Sequence, residues 1–170
     1  MSQKFIIVSQ KTFHILLATV FAILTIIVST GCSSRNRVIS YSYTPIKNSE
    51  WKVQDNLVFD IDTLEESGNY KFSVGIRANN NIQFQKIYVT IEQDFNNPAF
   101  YRKDTLEISL TDKMGGIKGR GLRLYNFMQS IKERIPLKAG QTGTVRISHV
   151  MRKAVLSGIT DVGFRLICEH

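Results

Sequence analysis

Cysteine is almost missing from this chain. Of 170 residues only Cys32 and Cys168 carry a thiol, so a disulfide-stapled framework is excluded, and modification of Cys32 leaves Cys168 with no partner for even one bridge. Histidine is nearly as scarce. His149 is the one imidazole lying inside the chain beyond the amino-terminal stretch, with His170 at its end. No glycine-serine-glycine elbow opens a helix, and no glycine-rich loop ends in Gly-Lys-Ser or Gly-Lys-Thr. The Asp60-x-Asp62 pair lacks the further oxygen ligands and turn glycine of an EF-hand loop. Long apolar runs are absent too: the core from Ile15 to Val28 falls short of the ~20 residues a membrane-spanning helix wants. Basic residues are scattered, and no loop interleaves them with aromatics, which argues against a nucleic-acid partner.

What is present is a leader. Lys4 and Lys11 precede an apolar segment from Phe13 to Val28, and Val28-Ser29-Thr30-Gly31-Cys32 closes it with small residues running into a cysteine. That order predicts a secretory signal peptide over 1–31, removed at a lipoprotein processing site, with Cys32 as the lipidated residue. A thioether-linked diacylglycerol on the thiol and a further acyl chain on the freed amine give a stable membrane-lipid anchor, where one chain alone is marginal. Residues 32–49 read as a lipidated tether, although Ile39, Tyr41 and Tyr43 alternate well enough for a first edge strand. Residues 50–170 form the expected folded domain. Ser33-Ser34-Arg35 is neither an acidic export run nor an inner-membrane retention aspartate, so the expected location is the cell envelope, on the outer membrane facing the periplasm.

Once the leader is gone, 20 basic and 14 acidic side chains remain, an excess of +6 that suits a solvated surface beside anionic lipid or glycan. From Trp51 onward the period is two. Leu57, Phe59 and Ile61 alternate with polar neighbours, as do Tyr70 to Ile76, Ile87 to Ile91, Leu106 to Leu110, Val145 to Met151 and Val162 to Cys168. Asn79-Asn80-Asn81 and Asn96-Asn97-Pro98 suit reversals. The expected fold is all-β, an antiparallel sandwich of jelly-roll-like type. Leu124, Phe127, Met128, Ile131 and Ile135 fall at helical spacing, but the hairpin-like connection Pro136 to Gly143 and the strand after it favour an extended or bulged conformation. Arg152 to Ser157 suits one helical turn stopped by Gly158. Cys168 continues the inward set and reads as a small core residue.

Several constellations invite chemistry. His149 has Ser148, Ser157 and Asp161 near it in sequence, yet it is in phase with Val145, Ile147 and Met151, which makes it a core histidine first. Asp60 and Asp62, with Glu92, Asp94, Asp104 and Glu107 on neighbouring strands, could form a glycosidase-like acid pair, and Asn80 or Asn81 could complete a calcium site. A solvated outer face explains the same acids. Met114 to Gly121 could cradle an anion with Lys118 or Arg120 but fits a flexible turn better. Tyr88, Phe95, Phe100, Tyr101 or Tyr125 could supply an aromatic platform for a carbohydrate-binding module. The reading favoured over these has no catalytic, cofactor or metal residue.

Trp51 before an apolar strand, Asp60-x-Asp62-Thr63, Gly119-x-Gly121, the step from Gly143 to Ile147, Met151-Arg152 and Leu156-x-Gly158-Ile159-x-Asp161-Val162-Gly163 recur in order. With the lipidation signal, this arrangement resembles the gliding-motility lipoprotein H family (GldH) of the Bacteroidota over nearly the whole mature chain. The closing segment through Phe164-Arg165 is its most specific part. The resemblance implies a membrane-anchored, non-enzymatic envelope protein that is an accessory to gliding motility and surface-protein secretion, with protein partners in that machinery. Relatives in non-gliding species make the envelope assignment firmer than motility.

Overall fold

The computed structural model describes Ile15 and residues 36–169. Apart from Ile15, the leader lies outside the described residues, as do Cys32, Ser33 to Arg35 and His170. Residues 35–170 make one compact unit, and no helix among the described residues is long and apolar enough to cross a membrane.

The fold is all-β and antiparallel. The strands are β1 (Arg37–Pro45), β2 (Glu50–Lys52), β3 (Leu57–Ile61), β4 (Gly68–Ala78), β5 (Lys86–Asn96), β6 (Phe100–Ser109), β7 (Tyr125–Ser130), β8 (Ile135–Leu137), β9 (Thr142–His149), β10 (Val155–Ser157) and β11 (Ile159–Glu169). One sheet runs β1-β11-β4-β7, with β8 also paired to β4, and a second runs β3-β9-β5-β6. β10 and β2 form a small third sheet. Alternation decides which side chains go inward. On β4, Tyr70, Phe72, Val74, Ile76 and Ala78 are all buried, while Lys71 and Arg77 between them are half-buried, the pattern of a pleated strand with one face against a core. The two larger sheets meet through aromatic side chains. Phe72 of β4 stands edge-on to Phe95 of β5 at 6.1 Å, and Phe59 of β3 lies 5.9 Å from Phe164 of β11, within the range where ring pairs add to area burial.

Three local expectations are refined. The stretch read as a tether is strand from Arg37, because β1 pairs with β11 along its length, Arg37 opposite Cys168 and Pro45 opposite Asp161. The helical spacing after Leu122 is overridden, as the neighbouring strands suggested. Phe127 turns inward at 6% exposure while Met128 turns outward at 37%, and β7 pairs with β4 from Ser73–Ser130 to Ala78–Tyr125. Burying a phenylalanine is worth roughly 1.5–3 kcal/mol, more than the ~0.7 kcal/mol per residue by which ordinary helix propensities differ. The helical turn expected over Arg152 to Ser157 is corrected: the chain bends there and then runs as β10, with fully buried Leu156 opposite Trp51. Gly158, at φ +90°, then redirects the chain into β11 in a conformation that favours glycine.

Candidate functional site

The sequence-derived catalytic candidates do not assemble. His149 is 1% exposed, 5.2 Å edge-on from the Trp51 ring, and burial lowers its pKa, so it sits in the core as a neutral ring. Ser148 points to the opposite face of β9 and shares a 2.8 Å hydrogen bond with Thr90. Ser157 pairs with Glu50 on the small sheet, and Asp161 lies opposite Arg77.

Four of the six candidate carboxylates are each held by a base. Glu92 binds Lys103 at 2.7 Å, Glu107 binds Lys86 at 2.7 Å, and Asp94 lies 3.7 Å from Arg146. Asp104 turns to the inner side of β6, where Arg102 holds it through two 2.8 Å bonds. Asp60 and Asp62 do line one cleft of about 230 Å³ with Glu65, but Arg37 reaches Glu65 at 2.5 Å. Asn80 and Asn81 lie before β5, at the far end from the Phe95–Gly143 pair that borders Ile61. Among the described residues no group of three or more His, Cys, Asp or Glu is placed to hold a metal ion.

The glycine-rich turn is likewise occupied from within, since Asp112 Oδ1 accepts the amides of Met114 and Gly116 at 2.8 Å each. The aromatics that could supply a sugar platform are spread over β5, β6 and β7. Phe95 is fully buried, and Tyr88 and Tyr101, at 39% and 61% exposure, are opposite Glu107 and Asp94, six residues apart along β5. Cys168 is buried as expected, its thiol pushed up chiefly by burial.

A different constellation stands on the outer face of the β1-β11-β4-β7 sheet. Tyr43 of β1, Gly163 of β11, Gly75 of β4 and Met128 of β7 fall in one register row. The two glycines form a floor on which the Tyr43 ring rests: a Cβ at Gly163 would lie 2.5 Å from the ring, and one at Gly75 would lie 2.4 Å from its hydroxyl. Burial, followed by the Tyr41 hydroxyl, pushes the Tyr43 phenol up to about 12. Tyr41 stands edge-on to it at 5.6 Å and is 55% exposed. The Arg77 guanidinium lies 3.9 Å over the Tyr43 ring, and its Nε donates to Asn126 Oδ1 at 3.1 Å.

Arg165, opposite Tyr41, has a buried Nε with no hydrogen-bond partner. Tyr41, Tyr43, Lys118, Arg120, Asn126 and Met128 border a groove of about 580 Å³ whose lining includes no acid. Among the described residues, Arg77, Arg165, Lys118 and Arg120 form no ion pair with a carboxylate. Sequence reasoning saw Tyr41 and Tyr43 only as an alternating edge. The available signal was glycine at Gly75 and Gly163, where the alternation calls for a polar outward side chain.

Comparison with known proteins adds a family. The family model described as GldH lipoprotein matches residues 38–166. The gliding motility lipoprotein GldH of Flavobacterium johnsoniae is 29% identical over 125 residues, covering 69% of this chain and 77% of that protein. A gliding motility lipoprotein GldH homolog of Christiangramia forsetii is 27% identical over 152 residues, 85% of this chain and 91% of that one. Among solved structures, an Eiger TNF from S. frugiperda covers 79% of this chain and 94% of its own at 12% identity and a TM-score of 0.34, too low to carry an argument.

Proposed function

The chain belongs to the GldH lipoprotein family, and from that membership we propose that it is a non-enzymatic lipoprotein, accessory to gliding motility and the associated surface-protein secretion. The observation that carries the reading is the extent of the match, residues 38–166, which takes in the domain from its first strand to its last. Acyl chains on Cys32 fix the protein in the outer membrane, facing the periplasm, after residues 1–31 are removed. Its partners are envelope proteins of the gliding or secretion machinery. In this reading the two larger sheets are the layers of a jelly-roll-like sandwich. The tether is short: residues 33–36 separate Cys32 from β1, a reach of about 17 Å at ~3.3–3.6 Å per residue.

The test is made on envelopes. Wild-type protein is expected to carry an acylated amino-terminal Cys32 by mass spectrometry, to fractionate with the outer membrane and to recover envelope proteins in a pull-down. Cys32→Ala is expected to lose all three properties. An intact, unacylated amino terminus on the wild type, or identical fractionation of both forms, would refute the reading.

A further inference from the structure

We propose that the connection from β6 to β7 docks on an anionic phospholipid surface, with Met114 and Leu122 entering the headgroup boundary and the basic side chains around them meeting lipid phosphates. Composition is the first support. Residues 113–124 include Lys113, Lys118, Arg120 and Arg123 and no acid, and all four basic residues are exposed. Asp112, just before them, turns its carboxylate back to the amides of Met114 and Gly116 at 2.8 Å each. Glu107 lies within the field of Lys118 but is bound by Lys86 at 2.7 Å. A basic segment of this kind is drawn to a negatively charged leaflet. Exposure is the second support. Met114 is 98% and Leu122 91% exposed, with Leu124 exposed beside them, whereas the most exposed large apolar side chain elsewhere in residues 36–169 is Tyr101 at 61%. The third is that these tips are held in place. Bridges from Thr111 to Ile117 and from Arg120 to Asn126 close two successive turns, and the Tyr125 hydroxyl donates to the Leu122 carbonyl at 2.9 Å. Ile117 and Tyr125 pack against the core, so the loop turns those side chains inward and leaves Met114 and Leu122 outward. Separate apolar tips next to Gly115 and Gly121 do not make the continuous apolar centre of a protein interface. A fluid bilayer needs no matching pocket, and the stems of Lys and Arg lie along its apolar zone with their charged heads at the phosphates. The loop adjoins the end of the sheet where Tyr125 faces Ala78 and Ala78 faces Ile159, while Arg37, the strand residue nearest Cys32, marks the other end. The contact is therefore separate from acylation.

The test uses the full chain carrying Cys32→Ala, reconstituted into vesicles of pure phosphatidylcholine or of phosphatidylcholine and phosphatidylglycerol in equal parts. An environment-sensitive fluorophore is attached through Met114→Cys or Leu122→Cys, and the parent, whose Cys168 is buried, is the labelling blank. In the anionic vesicles the emission is expected to shift to the blue and to lose most of its quenching by aqueous iodide. Neither change is expected in phosphatidylcholine alone, and high salt is expected to reverse both. A label attached through Val58→Cys, on the other large sheet, is expected to stay quenchable in both. Lys118→Gln, Arg120→Gln and Arg123→Gln combined are expected to abolish the shift at Met114→Cys. Circular dichroism confirms that each variant is folded, and if the Leu122→Cys chain is not, the Met114→Cys chain decides. The proposal is overturned if the label stays quenchable in anionic vesicles, if it shifts equally in phosphatidylcholine, or if the folded charge variant shifts like its parent. An acidic protein as occupant gives no shift with anionic lipid and a shift when polyglutamate is added to phosphatidylcholine vesicles, and that result overturns it too.

Discussion

The two large sheets turn different outer faces to solvent. On the β3-β9-β5-β6 sheet, acids and bases alternate between adjacent strands: Lys103 answers Glu92, Arg146 answers Asp94 and Lys86 answers Glu107. Such a face holds its charges at short range and presents little net field beyond them. On the β1-β11-β4-β7 sheet, two glycines in one row lower the floor, Tyr43 fills it, and Arg77 and Arg165 beside it form no ion pair, although Asp161 lies opposite Arg77. The same pleat, period and antiparallel pairing therefore yield a self-neutralised surface in one place and a cationic, aromatic depression in the other. The difference lies in which side chains occupy the outward positions.

The comparison can be broken hardest at the floor. Gly163→Leu is expected to cost about 1–3 kcal/mol in urea unfolding, because the new side chain displaces the Tyr43 ring. Thr144→Leu, at an outward position of β9, is expected to stay within about 0.5 kcal/mol. Equal losses would show that the two faces do not differ in packing.

A second difference lies in how the tyrosines titrate. Burial first of all holds the Tyr43 phenol up to about 12, whereas the Tyr88 phenol is raised chiefly by its bond to Glu107. A tyrosine in the unfolded chain ionises near about 10. Above that pH the unfolded state gives up a proton that native Tyr43 keeps. The stability Tyr43 contributes is therefore complete below about pH 10 and is lost as pH rises towards 12. Tyr43→Phe is expected to flatten the alkaline fall in unfolding free energy, followed by urea titration on both sides of pH 10. An unchanged slope would place the Tyr43 ring in water.

The smallest effect belongs to the paired face. Glu92→Gln removes an exposed ion pair with Lys103 and is expected to change stability by about 0.2–1 kcal/mol, less in high salt. A larger, salt-independent loss would mean that those pairs hold the sheet together.

Much of this architecture is legible along the chain. The alternation through Leu57–Ile61, Tyr70–Ile76 and Val162–Cys168 is local, since a strand with one buried face writes its period into neighbouring residues. What is illegible depends on distant partners. Val155 to Ser157 become strand because they pair with Glu50 to Lys52, about a hundred residues away. Phe127 and Met128 look alike at helical spacing and part only because β4 binds the segment on one side. The acids of β5 and β6 can be assigned to a sheet face, but whether each meets a base depends on register. The glycine floor is harder still, because Gly75 and Gly163 lie on strands far apart in sequence and their joint meaning appears only when Tyr43 is laid across both.

The first strand lies against the last, with Arg37 opposite Cys168 and Pro45 opposite Asp161. If the domain is leashed at the Arg37 end and tugged from its opposite pole, the load runs lengthwise along this ladder. Its hydrogen bonds then share the strain side by side instead of opening one after another. Under such a load the domain would resist unfolding, because many hydrogen bonds of the ladder must break together.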